Sequence, residues 1–327
     1  MLDARTPFDM PLSDLSGREA WLDKVEEIAG DDGYVQRLGA RHAALFIENK
    51  PTLLVTFETH EGISASSAKA QPLGWGIAGA LGWSHLCLVS DGDTWFRDPA
   101  VYGYFDRLVD DGFFEDFERV IFYGAGPCGY AAAAFSVAAP GARVVAVSPQ
   151  ATLDPRVTEW DDRYRHIRRT SFTDRYGYAP EMLDAAAEAF ILYDPEVSLD
   201  AMHAALFTRP NVTLFRMRFM GPQLEAGLMR LSILFRILAQ ASAGKLDRVA
   251  LAKLFRARRD DGGYQFNLLQ KLKANARHYL TVLLARHVLE KRNARPFRKA
   301  MQGACKASDE NGTHLPPDAP QDADADV

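Results

Sequence analysis

Gly124-Ala125-Gly126-Pro127-Cys128-Gly129-Tyr130 decides how this chain is read. It follows the apolar run 119–123 and opens the alanine-rich run 131–135, so the context is strand, tight turn, helix. Two kinds of site share that shape. One is the strained turn G-x-S-x-G, which lifts a nucleophile above the end of a sheet. The other is the G-x-G-x-x-G turn, whose glycines let backbone approach a pyrophosphate. The segment matches the second pattern letter for letter. It fits the first in shape, with Gly126 where the serine would stand.

Outward from the turn, apolar runs recur at strand length. Residues 43–47 and 52–57, separated by Asn49-Lys50-Pro51, read as a hairpin-like pair. Residues 83–89, 119–123, 143–147, 189–193 and 212–217 follow, with helix-length segments between most of them. Nearly continuous apolar strands of this kind are buried on both faces, as in a parallel sheet. The expected fold class is therefore α/β: a mostly parallel sheet with an antiparallel start, flanked by helices. From about 224 to 303 the pattern becomes helical throughout, with Leu228, Leu231, Leu234 and Leu238 on one stripe and Leu269, Leu272, Leu280 and Leu283 on another. The expected organisation is a lead-in segment 1–39 with a helix at 18–29, a sheet domain 40–223, an all-helical extension 224–303 and a disordered tail 304–327.

Composition is that of an ordinary globular protein, 47% hydrophobic and 25% charged. No apolar run reaches the roughly 18 residues of a membrane span, and Met1-Leu2-Asp3-Ala4-Arg5 lacks the charged-then-apolar pattern of a secretion signal. The expectation is a cytoplasmic protein. Cys87, Cys128 and Cys305 are scattered, and neither they nor the eight histidines show zinc-site spacing, so no metal is expected. The net charge of −5 is uneven, because residues 245–303 carry 15 Lys and Arg against 4 Asp and Glu. That basic segment could meet a protein partner. Nucleic acid is disfavoured, since few aromatics interleave with the charge.

The pyrophosphate reading needs an acid at the end of the next strand to hold the ribose hydroxyls. That strand ends Ala146-Val147-Ser148-Pro149-Gln150, without one. A flavin- or nicotinamide-binding oxidoreductase therefore remains only an alternative. Cys305 near the C-terminus invites comparison with phosphoadenosine phosphosulfate reductase, but the E-C-G-x-H signature of those enzymes is missing.

Several short motifs occur in a fixed order around the turn: Thr56-Phe57-Glu58-Thr59, Asp91-Gly92-Asp93-Thr94-Trp95-Phe96, the turn itself, Ser148-Pro149-Gln150, and Tyr193-Asp194-Pro195. Together they resemble a group of α/β-hydrolase-like proteins found with glycan-assembly genes. In that group the elbow typically reads G-S-S-M-G-G-Y-A-A, the next strand ends S-P-Q, and an earlier strand is followed by Trp-Tyr or Trp-Phe. The resemblance spans roughly residues 40–225 and implies an α/β-hydrolase-like sheet. It also implies a degenerate triad. The nucleophile falls on Gly126, which has no side chain. The oxyanion donor falls on Pro127, which has no N–H. The acid falls on Asp194, and the histidine position, near Phe219 to Gln223, holds none. A nucleophile is weak without its base, so the expected role is noncatalytic binding or interaction. No resident cofactor is expected.

Other residues carry open readings. The amides of Cys128 and Gly129, with Gly124 and Gly126, could hold a small anion at the helix N-terminus. Cys128 could be a relocated nucleophile in the first helical turn or a packing residue. Phe57, Glu58, Trp95 and Phe96 could line a ligand pocket or belong to core and loop. Asp194 and His203 could orient each other, or Asp194 could brace its own loop. The run Asp161, Asp162, Arg163, Arg165, Arg168 and Arg169 could clamp an anion or form a surface network.

Overall fold

The computed structural model describes residues 8, 10–13, 15, 17–49, 51–167, 169–311 and 314–316. Arg168 and, within the expected tail, residues 312–313 and 317–327 lie outside them. The strands are β1 (Gly33–Leu38), β2 (His42–Ile47), β3 (Thr52–Thr59), β4 (Ser84–Ser90), β5 (Arg119–Ala125), β6 (Arg143–Val147), β7 (Glu188–Tyr193) and β8 (Val212–Arg216). The helices before β7 are α1 (Arg18–Ala29), α2 (His60–Ser66), α3 (Leu73–Leu81), α4 (Pro99–Asp110), α5 (Pro127–Phe135), α6 (Pro155–Thr158) and α7 (Ala179–Met182). After β7 come α8 (Ser198–Ala204), α9 (Leu224–Arg230), α10 (Leu234–Ser242), α11 (Arg248–Leu254), α12 (Gly262–Ala274), α13 (His278–Lys291) and α14 (Arg295–Asn311).

The eight strands form one sheet in the order β1-β2-β4-β3-β5-β6-β7-β8. β2 runs antiparallel to both β1 and β4, and every pair from β4 to β8 is parallel. This is the expected mostly parallel α/β-hydrolase-like sheet with an antiparallel start. Two local expectations are corrected. Residues 43–47 and 52–57 are not a hairpin, because β4 inserts between β2 and β3. The lead-in segment is not outside the sheet either: Gly33–Leu38 pairs with β2 as its edge strand.

Strand alternation sends neighbouring residues to opposite faces. Val55 and Phe57 of β3, Leu86 and Leu88 of β4 and Phe122 of β5 enter one aromatic core with Phe105, Tyr130 and Phe135 from α4 and α5. Thr56, Glu58, His85, Cys87 and Tyr123 therefore face the other way. There α3 approaches so closely that a Cβ on Gly74 would lie 2.0 Å from His85 Nε2.

The chain divides into two compact units, Met1–Phe255 and Arg256–Val327. The expected boundary at 224 is thus corrected. Helices α9–α11 belong to the sheet unit, with α10 packing on β5 and β6 and α11 on β8. The second unit closes its own core from Leu269, Ala285, Val288, Phe297 and Ala300. The expected tail boundary at 304 also moves, because α14 continues to Asn311 and buries Ala304 and Ser308, four residues apart on one face.

Candidate functional site

β5 ends at Ala125, Gly126 has φ 56° and ψ −124°, and Pro127 starts α5. Proline suits that first helical position, where a missing N–H costs nothing. The Gly126 amide donates to Val147 O at 2.8 Å and ties the turn to the end of β6. Each glycine has a separate role. A Cβ on Gly124 would lie 2.2 Å from Cys128 O, so this position requires glycine for helix–strand contact. A Cβ on Gly126 would meet nothing within 4 Å. The segment is therefore a tight strand–turn–helix with open space on the Cβ side of Gly126.

The other residues singled out from the resemblance are placed as follows. Asp194 is buried; Oδ1 accepts from the Glu196 amide at 2.9 Å and Oδ2 from the Gly221 amide at 2.7 Å. Gln223 precedes α9 and makes no side-chain cap. His203 does not meet Asp194. Its Nε2 lies 2.9 Å from Asp161 Oδ2, and its Nδ1 accepts from the Ala151 amide at 3.2 Å. Both ring nitrogens are thus used, and neither can take a proton from a nucleophile. Arg163 joins the same network, bonded to Asp161 and to Asp200 at 2.7 Å. The charge run is in this part a structural brace between buried acids.

One constellation looks like a displaced relay. His42 Nε2 lies 2.8 Å from Thr94 Oγ1, and Asp98 Oδ2 is 3.6 Å from His42 Nδ1. The second distance exceeds a hydrogen bond. Burial pushes His42 down to about 4, far from the range of a base working at neutral pH.

The surroundings of the elbow are acidic. Tyr123 donates to Glu225 Oε1 at 2.5 Å. Glu58 accepts from the Leu73 amide at 2.8 Å and from Thr56 Oγ1 at 3.0 Å, and burial pushes its carboxyl up to about 7. Burial, then Glu225, Glu58 and Asp93, raise the Cys128 thiol well above its ordinary value. A catalytic thiolate is favoured by the opposite environment, an exposed and electropositive one.

Two further candidates prove to be core. Phe57 stacks on Phe105, Phe122 and Phe135. Trp95 is fully buried, donates to Gln150 Oε1 at 3.2 Å and packs edge-on against Tyr164. Neither offers a face for a sugar. A cavity of about 430 Å³ opens at the amino ends of β5 and β6, lined by Leu108, Phe114, Arg119 and Arg143, away from the elbow. His85, Cys87 and Glu225 were missed in the sequence. The alternating pairs Thr56-x-Glu58 and His85-x-Cys87 were the available signal for the first two, and they become one cluster only once β3 and β4 are in register.

No family model and no curated protein matches the chain. Among solved structures it is similar to the esterase Pf2001 of Pyrococcus furiosus, with TM-score 0.37 and 12% identity over 62% of this chain and 91% of that one. It is also similar to the fluorophosphonate-binding serine hydrolase F of Staphylococcus aureus, with TM-score 0.38 and 13% identity over 56% and 88%. A third is the Glycosylation Associate Protein complex from Streptococcus agalactiae, with TM-score 0.41 and 12% identity over 66% of this chain and 48% of that one. The sheet order and the strand–turn–helix at Gly126 make the fold α/β-hydrolase-like.

Proposed function

We propose that this protein uses an α/β-hydrolase-like scaffold for binding or interaction and does not act as a serine hydrolase. The observation that carries the reading is the elbow: its turn is intact at Gly126, while the nucleophile side chain and the Pro127 N–H are missing. The rest of the relay supports it. Asp194 spends its oxygens on the Glu196 and Gly221 amides, and residues 217–223 after β8 include no histidine. Surface-glycan assembly as the setting follows from the motif resemblance alone.

The helical unit 256–311 supplies the partner surface. Phe266, Tyr279, Leu280 and Leu283 are each at least 40% exposed on α12 and α13, in a strongly basic segment. Exposed large apolar side chains are a feature of protein contact surfaces, and the basic charge of the segment favours an acidic partner.

The test is fluorophosphonate labelling of the purified full chain, read by intact mass, with p-nitrophenyl ester turnover in parallel. No adduct and no turnover above buffer are expected. Stoichiometric labelling of a serine overturns the reading.

A further inference from the structure

We propose that Glu58, His85 and Cys87 form a binding site for a divalent cation of the zinc class, set on the sheet face under α3. A carboxylate oxygen, an imidazole nitrogen and a sulfur lie within 4.8 Å of one another. This mixed O, N and S set suits a borderline-soft cation such as Zn²⁺ and not Mg²⁺ or Ca²⁺, which take oxygen ligands. Cys87 Sγ is 3.7 Å from Glu58 Oε1. The corresponding edge of a tetrahedral zinc site, with its usual bond lengths, is roughly 3.5 Å.

The surroundings are those of a held site. Leu73 N–H fixes Glu58 Oε2 at 2.8 Å and leaves Oε1 with only longer or weaker donors, at 3.0, 3.4 and 3.7 Å. Such outer contacts orient a ligating carboxylate. Thr56 Oγ1 lies 2.8 Å from His85 Nε2 and donates to Glu58 Oε1 at 3.0 Å, so it links the imidazole to the carboxylate. His85 is 1% exposed, and its Nδ1 is buried with no hydrogen-bond partner. Binding would release the Cys87 thiol proton to solvent, leaving thiolate and carboxylate to neutralise the ion's two charges. This assignment is independent of whether the elbow is catalytic.

The experiment uses the full chain, stripped with a chelator and titrated with Co²⁺. One equivalent should bind and produce a near-ultraviolet thiolate-to-cobalt band, which Zn²⁺ then displaces. Cys87→Ser should abolish the band and weaken Co²⁺ affinity by about 100-fold or more. A titration without a saturable band, or a band that survives Cys87→Ser, overturns the proposal. If Cys87→Ser does not fold, the variant carrying Cys128→Ala and Cys305→Ser leaves Cys87 as the sole thiol. Persistence of the band there supports the site, and its loss overturns it.

Discussion

Asp194 Oδ2 accepts the Gly221 amide at 2.7 Å, so a buried carboxylate at the end of β7 ties down the loop that follows β8. The side chain is a brace for that loop. Asp194→Ala strands the Gly221 and Glu196 amides and should destabilise the fold by about 1–3 kcal/mol. Urea unfolding should show a lower midpoint with an unchanged slope. An unaltered midpoint would mean that Asp194 does not hold this loop.

Gly126 and Gly124 should respond oppositely to a side chain. Gly126→Ser has room for its hydroxyl and costs only the strain of a non-glycine residue at φ 56°, about 1–3 kcal/mol. It should fold, and on the proposed noncatalytic reading it should still fail to take up fluorophosphonate, since residues 217–223 offer no histidine as base. Gly124→Ala drives a Cβ into the Cys128 carbonyl and should lose soluble, cooperatively folding protein. Circular dichroism melts and intact-mass labelling of the pair separate the two roles. Labelling of Gly126→Ser would reveal a working base.

Much of the sheet was legible because each buried strand is a short apolar run, and the elbow because glycine, proline and alanine mark its turn and helix. Pairing was less so. Residues 43–47 and 52–57 look like a hairpin because they are adjacent in sequence, and nothing local says that residues 84–90 will insert between them. The polar cluster was hidden for a related reason. Thr56 meets Cys87 only through the parallel register of β3 and β4. Phe57 and Glu58 are neighbours in sequence and both are candidates for a pocket lining, yet alternation sends Phe57 into the aromatic core and Glu58 away from it. The unit boundary at Phe255 escaped notice because helical pattern and basic charge run through it.

Cys128 should behave as an inert thiol. Burial and the nearby Glu225 and Glu58 disfavour its thiolate, whereas Cys305 is partly exposed. Iodoacetamide at pH 8 should modify Cys305 first, with Cys128 reacting only after denaturation, as peptide mapping would reveal. Rapid alkylation of Cys128 in the folded chain would restore the relocated-nucleophile reading.

Acid sensitivity should trace partly to His42. Its ring is buried among Thr94, Asp98 and Phe96, and burial lowers its pKa from 6.5 to about 4. A depressed base is neutral in the fold while the unfolded chain takes up a proton, so stability is full above about pH 6.5 and falls as pH drops toward 4. That shift corresponds to about 3 kcal/mol across the window. His42→Gln keeps a polar partner for Thr94 and removes the titration, so stability measured by urea midpoint should fall less steeply between pH 6.5 and 4. Some slope should remain, because burial also holds His85 down, to about 3. Superimposable pH profiles for the two proteins would mean that His42 is not neutral in the fold.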